Sequence, residues 1–226
     1  MNVQFQAKGN RGEIWLYDQI GASFWGDGIT AKTFQKELSA LGKVTNITLR
    51  INSPGGDVFD GFAIYNQLVQ HPADIDVEVD GVAASIASII AMAGNKIRIA
   101  KNAMMMIHNP QGVAIGDSTE MDRVKALLEQ VKGNLVGTYV DRTGNKAGDV
   151  EAWMDEETWF TAEAAVERGF ADAVTKETQV AACFALDRFR NVPQALRARA
   201  ANAAPQPVLD MRRTRIADIR ERASRA

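Results

Sequence analysis

Residues 80–110, DGVAASIASIIAMAGNKIRIAKNAMMMIHNP, decide how this chain folds. The stretch opens on Asp80-Gly81, a turn signal, and continues through small and apolar residues from Ala83 to Ala93. Gly94-Asn95 stops that run, and two strand-like segments follow, Ile97–Ile99 and Met104–Ile107. A helix that is apolar on nearly every side belongs in an interior. Ser85 stands at the mouth of this helix, and His108 stands at the end of the second strand. Nucleophilic acyl transfer needs those two groups: a hydroxyl presented at a helix N-terminus, and a base held within hydrogen-bond reach of it. The reading is Ser85 as nucleophile and His108 as its base.

Working outward, residues 13–18 (EIWLYD), 46–51 (NITLRI) and 75–79 (IDVEV) read as strands. Between them lie a helix capped by Thr30 that runs to about Leu41, and a helix with Phe59, Phe62, Ala63 and Leu68 on one face. Alternation of strand and helix with short connections predicts right-handed βαβ units on a mostly parallel sheet. Ser118 to about Arg142 is a long amphipathic helix with Met121, Val124, Leu127, Leu128, Val131, Leu135 and Tyr139 in one stripe. It exceeds what one sheet needs covered and is expected to protrude and pack on a neighbouring subunit. Residues 151–174 hold a further helix capped at Thr161, with Gly169 as its stop.

The longest apolar run, Val82 to Gly94, is too short to span a bilayer and too far along the chain to be a signal peptide. The single cysteine, Cys183, excludes an internal disulfide and gives no metal cluster. A cytoplasmic protein without cofactor or metal is expected. The net charge of −2 conceals an asymmetry: residues 186–226 carry ten arginines against four acidic residues, which leaves the first 185 at −8. The chain therefore divides into a body, residues 1–185, and a basic Arg/Ala-rich tail, residues 186–226, expected to be flexible or scaffold-like. Only Arg212–Arg222 has a helical look there. No aromatic residue beyond Phe189 interleaves the tail's arginines, which argues against nucleic acid as the partner.

Each candidate has a plainer reading. Serine before a helix is most often a cap, and Ser88, one turn further on, is a competing hydroxyl set deeper in the apolar helix. A lone histidine is more often a hydrogen-bonded core residue than a base. His71, however, precedes a proline in a surface loop, so any triad must use His108. The turn Asn52-Ser53-Pro54-Gly55-Gly56 is either a strand-to-helix connector or an oxyanion hole. In the second case a glycine N–H approaches a reacting carbonyl closely, and the Ile86 N–H after the nucleophile is the second donor. Loss of one such donor raises a barrier by ~3 kcal/mol.

Three blocks, INSPGGDVFDGFAIYNQL, GVAASIASIIAMAG and MMMIHNP, in this order and spacing, resemble the signature blocks of the Clp protease proteolytic subunit, over roughly residues 13–176. The phrases DGFAIYNQL and ETWFTAEAAVERGFADAV resemble the phage and prophage head-maturation branch of that family. The resemblance implies an α/β spiral of βαβ units shared with the crotonase group, with a long protruding helix, assembled into hexameric or heptameric rings that can stack. It implies a serine endopeptidase with Ser85 and His108 as catalytic residues, and Gly56 and Ile86 as oxyanion donors through their N–H groups. The third triad member falls by register on Glu157, with Asp155 as the alternative and Asp149 a distant third. The implied substrates are capsid or scaffold proteins. The segment before the first strand matches no ATPase-binding loop and the tail is extra, so an unfoldase ATPase partner is not expected. The alternatives are a general degradative Clp-type peptidase working with such an ATPase, an acyl-CoA hydratase of the same superfamily, and a catalytically silent assembly protein.

Overall fold

The computed structural model describes residues 3–22, 28–179, 186 and 188–202. Trp25, Cys183 and the expected helix at 212–222 lie outside the described residues. Strand β1 (Val3–Lys8) pairs antiparallel with β2 (Arg11–Leu16) and was not anticipated from the sequence. From β2 the expected alternation follows: α1 (Ala31–Ala40), β3 (Asn46–Ser53), α2 (Val58–Val69), β4 (Asp74–Ala84), α3 (Ile86–Ala91), β5 (Lys96–Ala100) and β6 (Met104–Ile107). Thr30 caps α1 as its position predicts, its Oγ1 accepting from Thr33 N–H. The pairings β2–β3, β3–β4 and β4–β5 are all parallel. The inward faces of these strands are β-branched or leucine side chains with no exposure, among them Ile14, Leu16, Ile47, Leu49, Ile51 and Val77. Positions between them, such as Glu13, Thr48, Arg50, Asp76 and Glu78, are only partly buried, so over these residues one face of the sheet meets the core and the other is polar. The mixed α/β architecture agrees with the expectation.

Asp80-Gly81 is not a turn. Strand β4 runs through it to Ala84, and the register against β3 shifts between Ile51↔Val79 and Ser53↔Ala83. The Asp-Gly pair is a β-bulge, the other structure a glycine inside a strand produces. Bulging redirects the strand: residues 76–79 pair with β5, whereas Val82–Ala84 pair with β6. The buried Asp80 carboxylate accepts from Tyr17 and Arg50, Thr178 donates to the Asp80 carbonyl, and Asn52 Oδ1 takes the Val82 N–H at 3.2 Å. The buried Asp80 carboxylate, its carbonyl and the Val82 N–H thus have partners, as burial demands.

The long helix is α4 (Ser118–Thr143), capped by Asp117 and ended by Gly144 in the left-handed region. Only its C-terminal half is buried, through Val131, Leu135, Val136 and Tyr139; Met121 and Leu127 on the first half are exposed. Helix α5 (Ala147–Asp155) then leads into β7 (Thr158–Thr161), which pairs antiparallel with β6. Thr161 caps α6 (Ala162–Glu167) as expected, and β8 (Ala173–Thr175) closes the sheet beside β5. Among the described residues no helix is long and apolar enough to cross a membrane.

The segment beyond residue 185, expected to be flexible, begins with residues that pack on the body. Leu186, Phe189, Val192 and Leu196 are buried in a second apolar cluster with Val82, Ala84 and Met106, and helix α7 (Gln194–Asn202) follows. The arginine content masked a stripe of apolar residues at three- and four-residue spacing.

Candidate active site

The bulge in β4 delivers Ser85 to the junction between that strand and α3. Its φ of 57° and ψ of −132° are rare for a residue with a Cβ, a conformation that costs of order 1–3 kcal/mol and persists only where the surroundings impose it. Here the Ser85 N–H is tied to the Met106 carbonyl at 2.9 Å. Its side chain makes no cap bond to α3. Instead Ser85 Oγ lies 2.8 Å from His108 Nε2. Ser88 has a different role: its hydroxyl donates to the Ser85 carbonyl at 2.6 Å, so its 2.7 Å contact with Tyr139 is donated by the tyrosine. With no exposure at all, Ser88 is a prop beneath Ser85.

The turn at 52–56 lies against the same junction. A Cβ on Gly55 would fall 2.6 Å from the Ala84 carbonyl oxygen, 2.7 Å from Ser85 Cβ and 3.1 Å from Ile86 N. Only a glycine allows that approach. Gly55 O accepts from Ile20 N–H at 3.0 Å. A trans peptide points its N–H opposite its C=O, so the Gly56 N–H is directed away from Ile20. Gly56 itself sits at φ 155°, and a Cβ there would be 2.0 Å from the Ile20 carbonyl oxygen. Ser53 holds the turn from below, its Oγ donating to the Asp18 carbonyl and accepting from Gly55 N–H.

His108 follows the last residue of β6. Glu157 immediately precedes β7, whose first residue pairs with Ile107, and its carboxylate acts electrostatically on the His108 imidazole. Glu157 is buried and adopts φ 53°, the other non-glycine residue besides Ser85 with positive φ among the described residues. Asp155 is elsewhere. Its exposed carboxylate accepts from Lys132 Nζ at 2.6 Å and Asn109 Nδ2 at 2.7 Å, and the lysine chiefly holds it below the usual carboxylate range. Asp149 lies in the first turn of α5. Burial pushes the His108 imidazole down to about 4; Glu157 opposes this, while Arg188 and Arg190 add to it. The ring is therefore neutral at pH 7 and able to accept a proton.

The sequence reading did not find the residues from 188 to 191 that also meet this site. Arg188 Nη2 donates to the Pro54 carbonyl, and the Phe189 ring stands edge-on to His108 with centroids 5.7 Å apart. Asn191 N–H donates to Glu157 Oε1 at 2.7 Å and its side chain to the Glu156 carbonyl at 2.6 Å. Glu157 Oε2, buried, has no hydrogen-bond partner; Arg190 Nε is 3.9 Å away. The spacing of Leu186, Phe189, Val192 and Leu196 was the signal available.

A strained serine at a strand–helix junction, a neutral imidazole on its hydroxyl and a glycine turn beside it form a constellation suited to acyl transfer. The Clp protease family profile matches residues 13–178, and the chain belongs to that family. It is 33% identical over 153 residues to the ATP-dependent Clp protease proteolytic subunit of Bacteroides fragilis, covering 66% of this chain and 74% of that one. It is 34% identical over 150 residues to proteolytic subunit 1 of Protochlamydia amoebophila, covering 65% and 72%. Against subunit 1 of Mycobacterium tuberculosis the identity is 32% over 145 residues, covering 63% and 72%. None of these three relatives is described as a phage protein, and the expected head-maturation lineage draws no support from them.

Proposed function

We propose that this chain is a serine endopeptidase of the Clp type that hydrolyses peptide bonds in protein substrates. The observation that carries the reading is the 2.8 Å contact between Ser85 Oγ and His108 Nε2 at a backbone position under strain. His108 takes the Ser85 proton as Oγ attacks the peptide carbonyl carbon. The resulting oxyanion is received by the Gly56 and Ile86 N–H groups, donors fixed before the charge appears. His108 then gives its proton to the leaving amine, and water resolves the acyl-enzyme by the same route. Glu157, whose charge favours the protonated His108, stabilises the imidazolium. No step requires a cofactor.

The relatives named above are described as subunits of ATP-dependent proteases. The reading that follows is a subunit that degrades chains fed to it by an ATPase, in preference to a capsid-maturation protease. Apolar side chains exposed on the single chain, Phe59, Val69, Val113, Ile115, Met121 and Leu127, fit burial by ring neighbours.

Phosphonylation by a fluorophosphonate probe tests the chemistry. Labelling is expected at Ser85 and is expected to vanish in Ser85→Ala and His108→Ala. Labelling that persists in Ser85→Ala would overturn it. Digestion of a stably folded substrate only when a Clp ATPase and ATP are added would establish the ATP-dependent reading. Equal digestion without them would overturn it in favour of an autonomous processing protease.

A further inference from the structure

We infer that residues 188–192 are a blocking segment that occupies the peptide-binding groove of this chain's own active site, so that the subunit is latent until the segment is displaced. The inference rests on the peptidase reading of Ser85 and His108. Its basis is the order in which the segment meets the site. Arg188 contacts the turn that carries Gly55 and Gly56, through the Pro54 carbonyl. The next residue, Phe189, covers the base, His108, and stands edge-on to Trp159 with centroids 5.6 Å apart. Asn191 then takes the carboxylate of Glu157 and the carbonyl of Glu156. One short stretch, turned at Phe189 by its N–H bond to the Leu186 carbonyl, thus runs from the oxyanion turn, over the base, to the acid.

The contacts are of two kinds, and both are those a peptide would make. Backbone and amide donors satisfy protein acceptors at the rim: Asn191 N–H on Glu157, Asn191 Nδ2 on Glu156 O, and Arg188 on Pro54 O. Apolar side chains fill the floor, where Phe189 and Val192 join Val82, Ala84 and Met106. The Arg188 guanidinium carbon lies 4.7 Å over the Phe189 ring and closes the outer face. The segment also disables the acid. Glu157 Oε1 is engaged by Asn191, and Glu157 Oε2 is buried without a hydrogen bond, the arrangement expected where a carboxylate is held away from its working partner. The family match ends at residue 178, before this segment begins, so the block is an addition to the body.

Two full-length variants test the inference. Phe189→Asp puts a charge in the apolar floor and should undock the segment. Asn191→Pro removes the N–H that holds Glu157 and leaves the apolar contacts in place. Fluorophosphonate labelling of Ser85 is expected to be at least tenfold faster in both than in the wild-type chain. Wild-type labelling as fast as in both variants would overturn the inference. If no chain is labelled, the peptidase reading has failed, and the His108 imidazole resonance decides the block on its own. The chain has two histidines, so His71→Gln leaves a single signal. Upward movement of its titration midpoint in Phe189→Ser, which adds no charge of its own, as burial and the facing Arg188 and Arg190 charges are withdrawn, supports the block. An unchanged midpoint overturns it.

Discussion

His108 follows β6 and Glu157 precedes β7, near enough for the carboxylate to favour the imidazolium, yet the Glu157 carboxylate is bonded to Asn191. The β6–β7 pairing brings an acid near the base, and a separate segment engages it. Proximity along the strands and engagement of the carboxylate are distinct facts, and the predictions below separate them.

Glu157→Gln, made in the Phe189→Asp background, is expected to lower kcat/KM for a fluorogenic peptide by roughly 10²- to 10⁴-fold, since loss of the charge that supports imidazolium has effects of that size. Asp155→Asn is expected to stay within about threefold, because its bonds to Lys132 and Asn109 are exposed. The reverse ranking would move the acid to Asp155.

Proton linkage follows from burial of His108. The folded chain keeps this imidazole neutral down to about 4, whereas an unfolded one takes up its proton near 6.5. Between those values the unfolded state binds more protons, so stability declines as pH falls from 6.5 toward 4. The decline from this group is on the order of 3 kcal/mol at most. Urea unfolding at pH 7 and pH 5 should show a smaller difference for His108→Gln than for the wild-type chain. Equal differences would mean that other groups govern acid lability.

Gly56→Ala should unfold the turn locally or the whole chain, because the new methyl would sit 2.0 Å from the Ile20 carbonyl oxygen at a φ that disfavours a side chain. A fall in urea midpoint equivalent to roughly 3 kcal/mol or more is expected. An unchanged midpoint with full activity would remove Gly56 from the oxyanion turn.

Tyr139→Phe deletes the hydroxyl that donates to Ser88 and leaves the Ser88–Ser85 bond. The expected cost is about 1 kcal/mol of stability, with a modest loss of activity as the prop under the strained serine loosens. A larger loss of activity than in Ser88→Ala would show that Tyr139 does more than support Ser88.

The parallel sheet was legible from strand-helix alternation, because period-2 and period-3.6 patterns report local burial directly. That Ser85 and His108 meet was legible too, since a serine at the mouth of an apolar helix and a histidine just after a buried strand are exceptions that chemistry has to explain. Asp80-Gly81 was misread because the same dipeptide serves a turn or a bulge, and the choice is made by β5 and β6 competing for β4. Strand β1 was missed although Val3-Gln4-Phe5-Gln6-Ala7-Lys8 alternates apolar and polar residues, the period-2 signal of the strand that pairs with β2.

Local sequence determined which residues could react and which segments could become strands and helices, because those properties depend on neighbours within a few positions. It left three matters to the tertiary structure: the strained backbone of Ser85, the burial of Glu157 while Asp155 stays exposed beside Lys132, and the docking of residues 188–196 beside His108 and Glu157. Each depends on contacts between residues 20 or more positions apart in the chain, such as Ser85 with His108 and Asn191 with Glu157. Pattern within a window carries no information about such pairs, since they are selected by the packing of the whole sheet.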